Sequence, residues 1–249
     1  MGIKRGKAAL WVGIAFLILL VAAGVCFFQF IGTGYRMTVP WRASFEAVAD
    51  NVYMNRDHAG DRKEAIQMID RAKERVETFF GDLRGLEDTI IILCDDDRLL
   101  AKLGGDHDTI NVVFPTRKHY ICVSDEYLNV DVLAHELTHA ELNARLSASA
   151  MRRIPTWFDE GLALQNDCRE QYSEEQWVTQ TDSGKNIVAL EDMDTPSKFY
   201  AGEAADRRLR YLNAKHELAV WMAAHGQHGL LALLEQLNGG AGFHTAYGG

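Results

Sequence analysis

Residues 135–139 read His-Glu-Leu-Thr-His. On a helix, positions i and i+4 stand one above the other on one face. Two imidazoles so placed can bind one metal ion from a rigid support. Glu136 neighbours that face and can reach a water held there, which makes it a candidate general base. The pattern is short. With 9 His in the chain, two unrelated histidines on an ordinary helix are the alternative.

A catalytic zinc takes three protein ligands and keeps one position open. Glu141 follows His139 by two residues and points roughly 160–200° away on a helix, so it cannot complete the set. Leu142 and Arg145 stand where a longer three-histidine motif would need Gly and His. The next candidate is Glu160, within Pro155-Thr-Trp-Phe-Asp-Glu-Gly-Leu-Ala163. The interval from His139 to Glu160 allows the first helix to end, a loop near Ala148 to Arg153, and a second, antiparallel helix. Gly161 would let that helix approach closely, with Trp157 and Leu164 on the same face. Asp159 is the runner-up ligand; its other possible role is to accept a hydrogen bond from a ligand histidine.

HELTH followed by WFDEGLA resembles the gluzincin zinc metallopeptidases, and most of all the short, membrane-anchored bacterial proteins called peptidase-MA-like. The match covers residues 132–164. The resemblance implies one Zn2+ held by His135, His139 and Glu160, with Glu136 as catalytic base. It also implies an acid or oxyanion partner from a helical lobe. Tyr211 is the first candidate for that partner, with Tyr200 and His216 behind it; otherwise Tyr211 only packs its helix. The stretch from Tyr211 to Gly226 is similar to the tyrosine helix of gluzincin aminopeptidases. The chain lacks their Gly-x-Met-Glu-Asn segment, so the resemblance implies an endopeptidase rather than an exopeptidase. The implied fold is an α+β, zincin-like catalytic domain over 51–249, with a small N-terminal α/β sheet lobe and a helical C-terminal lobe. The rival reading is a non-catalytic zinc-binding or membrane-tethered interaction module on the same fold.

The elements that must position these residues follow from periodicity. Ala65, Met68, Ile69, Ala72, Val76 and Phe79 recur at helical spacing, predicting a helix from Asp61 to Phe80 closed by Gly81. Thr89 to Cys94 is a β-rich run. The Asp95-Asp96-Asp97 triplet after it reads as a turn or helix start rather than a cation site. A short helix over Asp97 to Leu103 ends at Gly104-Gly105. Strands are predicted over Ile110 to Phe114 and His119 to Ser124. The latter is our expected exposed edge for an extended substrate, the alternative being a central strand. The helix from Val130 to Ser147 carries an apolar stripe of Leu133, Leu137, Ala140 and Ala144, with the two histidines off it. A second helix starts near Pro155. Helices over 203–224 and 227–238 follow, punctuated by Gly226 and Gly229. His225 and His228 look like a metal pair but fall in that turn. Cys94 and Cys122 end neighbouring strands, either as a disulfide or as two buried thiols, and Cys168 would be left over or join one of them.

Residues 8–28 contain no charged side chain, and Lys4, Arg5 and Lys7 precede them. Roughly 20 apolar residues span a bilayer core, and the basic end stays in the cytoplasm. We therefore expect a cytoplasmic end over 1–7, a transmembrane anchor over 8–31 and a stalk over 32–50. The protein would be a single-pass inner-membrane protein with its catalytic domain outside the cytoplasm. Cleavage near Val21-Ala22-Ala23 as a signal peptide is the alternative. The expected partners are the membrane and a peptide or protein substrate. A net charge of −9 argues against nucleic acid. At 47% hydrophobic residues and 4 Pro, the chain is neither disordered nor linker-dominated.

Overall fold

A computed structural model describes residues 3–58, 60–105, 109–113 and 118–248. The chain begins with helix α1 (Ile3–Thr38), followed by strands β1 (Phe45–Ala49) and β2 (Val52–Asn55) and helix α2 (Arg62–Phe80). Strand β3 (Thr89–Cys94), helix α3 (Asp97–Lys102) and strands β4 (Thr109–Val113) and β5 (His119–Ser124) come next. Helical elements then follow: α4 (Val130–Arg145), α5 (Ala148–Met151), α6 (Thr156–Gln165), α7 (Glu174–Gln180), α8 (Pro196–Phe199), α9 (Ala204–Asn238) and α10 (Phe243–Tyr247). This is the α+β order expected. Gly226 breaks α9 with a left-handed φ of 64°, where the expected join between two helices lay. Phe114 and the Pro115-Thr116-Arg117 connection lie outside the described residues.

Local chemistry sets the boundaries. The Asp61 side chain accepts from the Lys63 and Glu64 amides to start α2, and Gly81, at φ 88°, stops it. Asp96 caps α3 by accepting from Leu99 N, so the acidic triplet is a helix start. Asn129 caps α4 through Val132 N at 2.9 Å. Ala144 is exposed and lies outside the core-facing stripe expected for α4.

The sheet order is β1-β2-β3-β5-β4. The inner pairs β2–β3 and β3–β5 are parallel; β1 and β4 run antiparallel at the two edges. Side chains alternate between faces with period two. Val52, Met54, Ile91, Leu93, Ile121 and Val123 meet α2 and α4 in the main core. Ile90, Ile92, Cys94, Tyr120 and Cys122 face the other way, against Leu100, Leu103, Val39 and Tyr35. With both faces covered, β3 and β5 are buried along their whole length. The expectation that His119 to Ser124 is an exposed edge is therefore corrected. β4 lies outside β5, at the edge of the described sheet. Cys94 and Cys122 are buried free thiols, and burial pushes Cys122 up to about 12. Cys168 is exposed.

Residues 32–50, expected as a stalk, contribute to the fold. β1 is part of the sheet, and Val39 is buried in its second face. Arg36 Nη1 donates to the Leu103 carbonyl, and a Cβ on Gly32 would stand 2.7 Å from Gly104 Cα. Along the apolar run, the described side chains are Trp11 and residues 13–24, and those of Phe16 to Val21 are exposed. The remainder of the expected anchor, 8–10, 12 and 25–31, lies outside the described side chains. Among the described residues no helix is long and apolar enough to cross a membrane.

Helix α6 is clamped between α4 and α9. A Cβ on Gly161 would approach the Ala214 carbonyl oxygen to 2.6 Å and Leu218 Cδ2 to 3.1 Å. The glycine expected to permit close approach does so, against α9. Gly161→Ala is expected to destabilise the metal-free chain by about 1–3 kcal/mol through overpacking. Thermal unfolding should register this as a lower Tm; an unchanged Tm would mean that the two helices separate without cost.

Candidate metal centre

His135 and His139 project from one face of α4, with ring centroids 4.9 Å apart in an edge-to-face arrangement. The helix can hold them rigidly because it is buried on most of its circumference. Leu133, Leu137 and Ala140 face the core. Glu141, two residues beyond His139, turns away from the histidines as its position requires. It accepts from the Arg84 and Gly85 amides and pairs with Arg145 at 2.8 Å.

Helix α6 brings Glu160 to the histidines. Its Oε2 lies 3.5 Å from His135 Nε2 and 3.7 Å from His139 Nε2, and the two Nε2 atoms are 3.2 Å apart. Ligand atoms about 2.0–2.1 Å from a tetrahedral zinc lie about 3.3 Å from one another. The three observed separations bracket that edge length. Glu160 Oε2 is buried and has no hydrogen-bond partner, while Oε1 accepts from the Tyr200 hydroxyl. One oxygen is thus anchored and the other presented to the histidines. His135, His139 and Glu160 are a group that could hold a metal ion.

The charges agree with that fit. Burial works against a charge on His139, yet Asp159 and Glu160 beside it raise it to about 10. Burial would raise Glu160, but His139, His135 and the Tyr200 hydroxyl hold it down to about 2. Two carboxylates converge on one imidazole at the cleft wall, an arrangement that suits a bound cation. Asp159 is placed as an orienting acceptor, with Oδ1 2.7 Å from His139 Nδ1. It fixes the ring so that Nε2 faces Glu160.

These groups line a cleft of about 320 Å³ with Glu136, Tyr211, Tyr200, His119, Asn143 and Met151. Glu136 is buried on the cleft wall beside the first histidine. Tyr211 reaches the cleft from α9, its ring edge-on to Phe199 at 5.0 Å and tilted against Tyr172 at 5.7 Å. Burial, then the nearby Glu160 carboxylate, push its hydroxyl up. Tyr200 serves Glu160. His216 is elsewhere: it stacks on Trp177 at 3.5 Å and pairs with Glu174. His225 packs on Trp221, and its Nδ1 lies 2.9 Å from the Trp221 carbonyl oxygen; neither it nor His228 belongs to a metal-capable group among the described residues.

Sequence reasoning did not single out His119, Asn143 or Asp167. Asn143 follows His139 by four residues, so helical spacing alone could have placed it on the cleft. His119 starts the strand before α4, and burial lowers its pKa against the pull of its hydrogen bond to Asn143. Asp167 lies in the loop after α6, where no periodicity points to it. In comparison with known proteins, the chain matches no family model and no curated protein.

Proposed function

We propose that the chain is a zinc-dependent endopeptidase with its cleft outside the cytoplasm, a placement supported only by the uncharged run of residues 8–28 behind Lys4, Arg5 and Lys7. The observation that carries this reading is the convergence of His135 Nε2, His139 Nε2 and Glu160 Oε2 beside Glu136 in an open cleft. Two imidazoles and one carboxylate are a catalytic zinc set, which leaves a position open. A zinc ion held there supplies Lewis acidity and lowers the pKa of water towards 7.

The chain's own residues do the rest. Glu136 takes the proton of the attacking water and returns it to the leaving amine nitrogen. Tyr211, kept protonated by burial, donates a hydrogen bond to the carbonyl oxygen as charge develops on it. An extended peptide would add to the described edge strand β4, next to β5, whose His119 lines the cleft. Glu136 favours this reading over a purely structural metal site, which has no use for a base.

The test uses the full chain in detergent with an unfolded protein as substrate. Cleavage at internal bonds should stop on removal of metal by a chelator and return with about one equivalent of zinc. Cleavage that survives chelation would end the metallopeptidase reading. A chain that takes up zinc and cuts nothing would leave the non-catalytic zinc-binding module.

A further inference from the structure

The loop after α6 turns back beneath the candidate metal centre. Asn166 Nδ2 donates to Thr138 Oγ1 at 2.9 Å, and Arg75 Nη1 donates to the Asn166 carbonyl at 2.8 Å. The loop is thus tied to both α4 and α2. It delivers Asp167, which is fully buried, to the far side of His135, with Oδ2 3.6 Å from Nδ1. That distance is longer than a hydrogen bond. His135 Nδ1 is itself buried and has no hydrogen-bond partner. A buried ring N–H needs an acceptor, and the carboxylate facing it is Asp167.

The carboxylate is held in place. Its oxygens accept from Arg169 N at 3.0 Å, Nε at 2.9 and 3.0 Å and Nη2 at 2.5 Å. Lys215 Nζ donates to the Asp167 carbonyl at 2.6 Å. Arg169 in turn lies 5.1 Å over the Tyr172 ring, which tilts against Tyr211. One loop therefore supports His135 on one side of the cleft and Tyr211 on the other.

We propose that Asp167 is the positioning residue of His135: its carboxylate accepts the Nδ1 proton, so that Nε2 is left to face the metal. The inference rests on the reading of His135 as a ligand. It mirrors the 2.7 Å pair of Asp159 with His139. Outer acceptors of this kind change metal affinity by about 10–100-fold when removed, because they fix the tautomer and the ring orientation. A carboxylate that merely anchors Arg169 would change stability alone.

Zinc affinity of the full chain in detergent, measured by chelator competition, separates the two. Asp167→Ala should weaken zinc by about 10–100-fold. Asp167→Asn keeps an acceptor oxygen and should lose less. The double variant Asp167→Ala/Arg169→Met removes the guanidinium charge left behind and should bind zinc as weakly as Asp167→Ala. The visible spectrum of the cobalt-loaded protein should shift in both alanine variants, as the His135 ring turns. Should Asp167→Ala not fold, the asparagine and double variants decide. Wild-type zinc affinity and an unchanged cobalt spectrum in these variants would overturn the inference, whatever happens to Tm. A wild type that binds no zinc would overturn the ligand reading of His135 and this inference with it.

Discussion

Glu136→Gln should keep its metal and lose its chemistry. Zinc content is expected to stay at the wild-type level while kcat for peptide cleavage falls by about 10²–10⁴-fold, the usual worth of a positioned acid or base. The substitution preserves volume and hydrogen-bonding reach in a residue that is 8% exposed, so the cleft wall should hold its shape. What it removes is a group that can carry a proton. Glu136 lies outside the ligand trio of His135, His139 and Glu160, and so metal content and activity should separate. KM should change little, because the carboxylate acts on the reacting water rather than on the bound peptide. Steady-state kinetics and metal analysis on the same preparation check this. A variant that cuts at the wild-type rate would remove Glu136 as base. A variant that loses zinc as well would make Glu136 part of the metal site or of the fold.

The ease with which parts of this site were read follows from the range of the interactions. His135 and His139 are one helical turn apart, and a single periodicity places them. Glu160 needed a second helix and a close approach, and Gly161 carried that information in its missing side chain. The caps at Asp61 and Gly81 and the break at Gly226 are local backbone chemistry, so they too could be read. Strand order is not local. β5 has the same apolar run whether it lies at an edge or inside, and it is the pairing of β4 outside it that decides. Burial of Arg36 and Val39, with Tyr35 packed beside them, depends likewise on α3 and the Gly104 turn arriving from elsewhere in the chain. Asp167 is the extreme case. It meets His135 across 32 positions of sequence through a loop pinned by Asn166 and Arg169, and nothing around it in the chain repeats. His216 fails in the opposite sense: it shares α9 with Tyr211, but five residues along the helix turn it towards Trp177.

Glu160→Gln is expected to cost the metal itself. Structural zinc sites with four protein ligands bind with apparent free energies of about 10–16 kcal/mol, or about 2.5–4 kcal/mol per ligand. Loss of one of three ligands should therefore weaken zinc by about 100-fold or more. The fold should survive, because the amide oxygen of Gln can still accept from the Tyr200 hydroxyl, as Glu160 Oε1 does. The amide nitrogen that replaces Oε2 is no ligand, and the carboxylate charge that helps to raise His139 is gone. Thermal unfolding gives a second readout by linkage. At a thousandfold excess over Kd, a ligand specific for the folded state adds about 4.1 kcal/mol, and a Kd 100-fold weaker reduces that to about 1.4 kcal/mol. The zinc-induced rise in Tm should shrink accordingly, with the metal-free Tm close to wild type. Asp159→Asn is the matched control. It perturbs the acceptor behind His139, worth about 10–100-fold in affinity, and should leave the ligand set whole. Should Glu160→Gln hold zinc as tightly as wild type while Asp159→Asn releases it, the third ligand is Asp159. The 2.7 Å contact with His139 Nδ1 would then mark a carboxylate able to swing onto the metal rather than one that holds the ring.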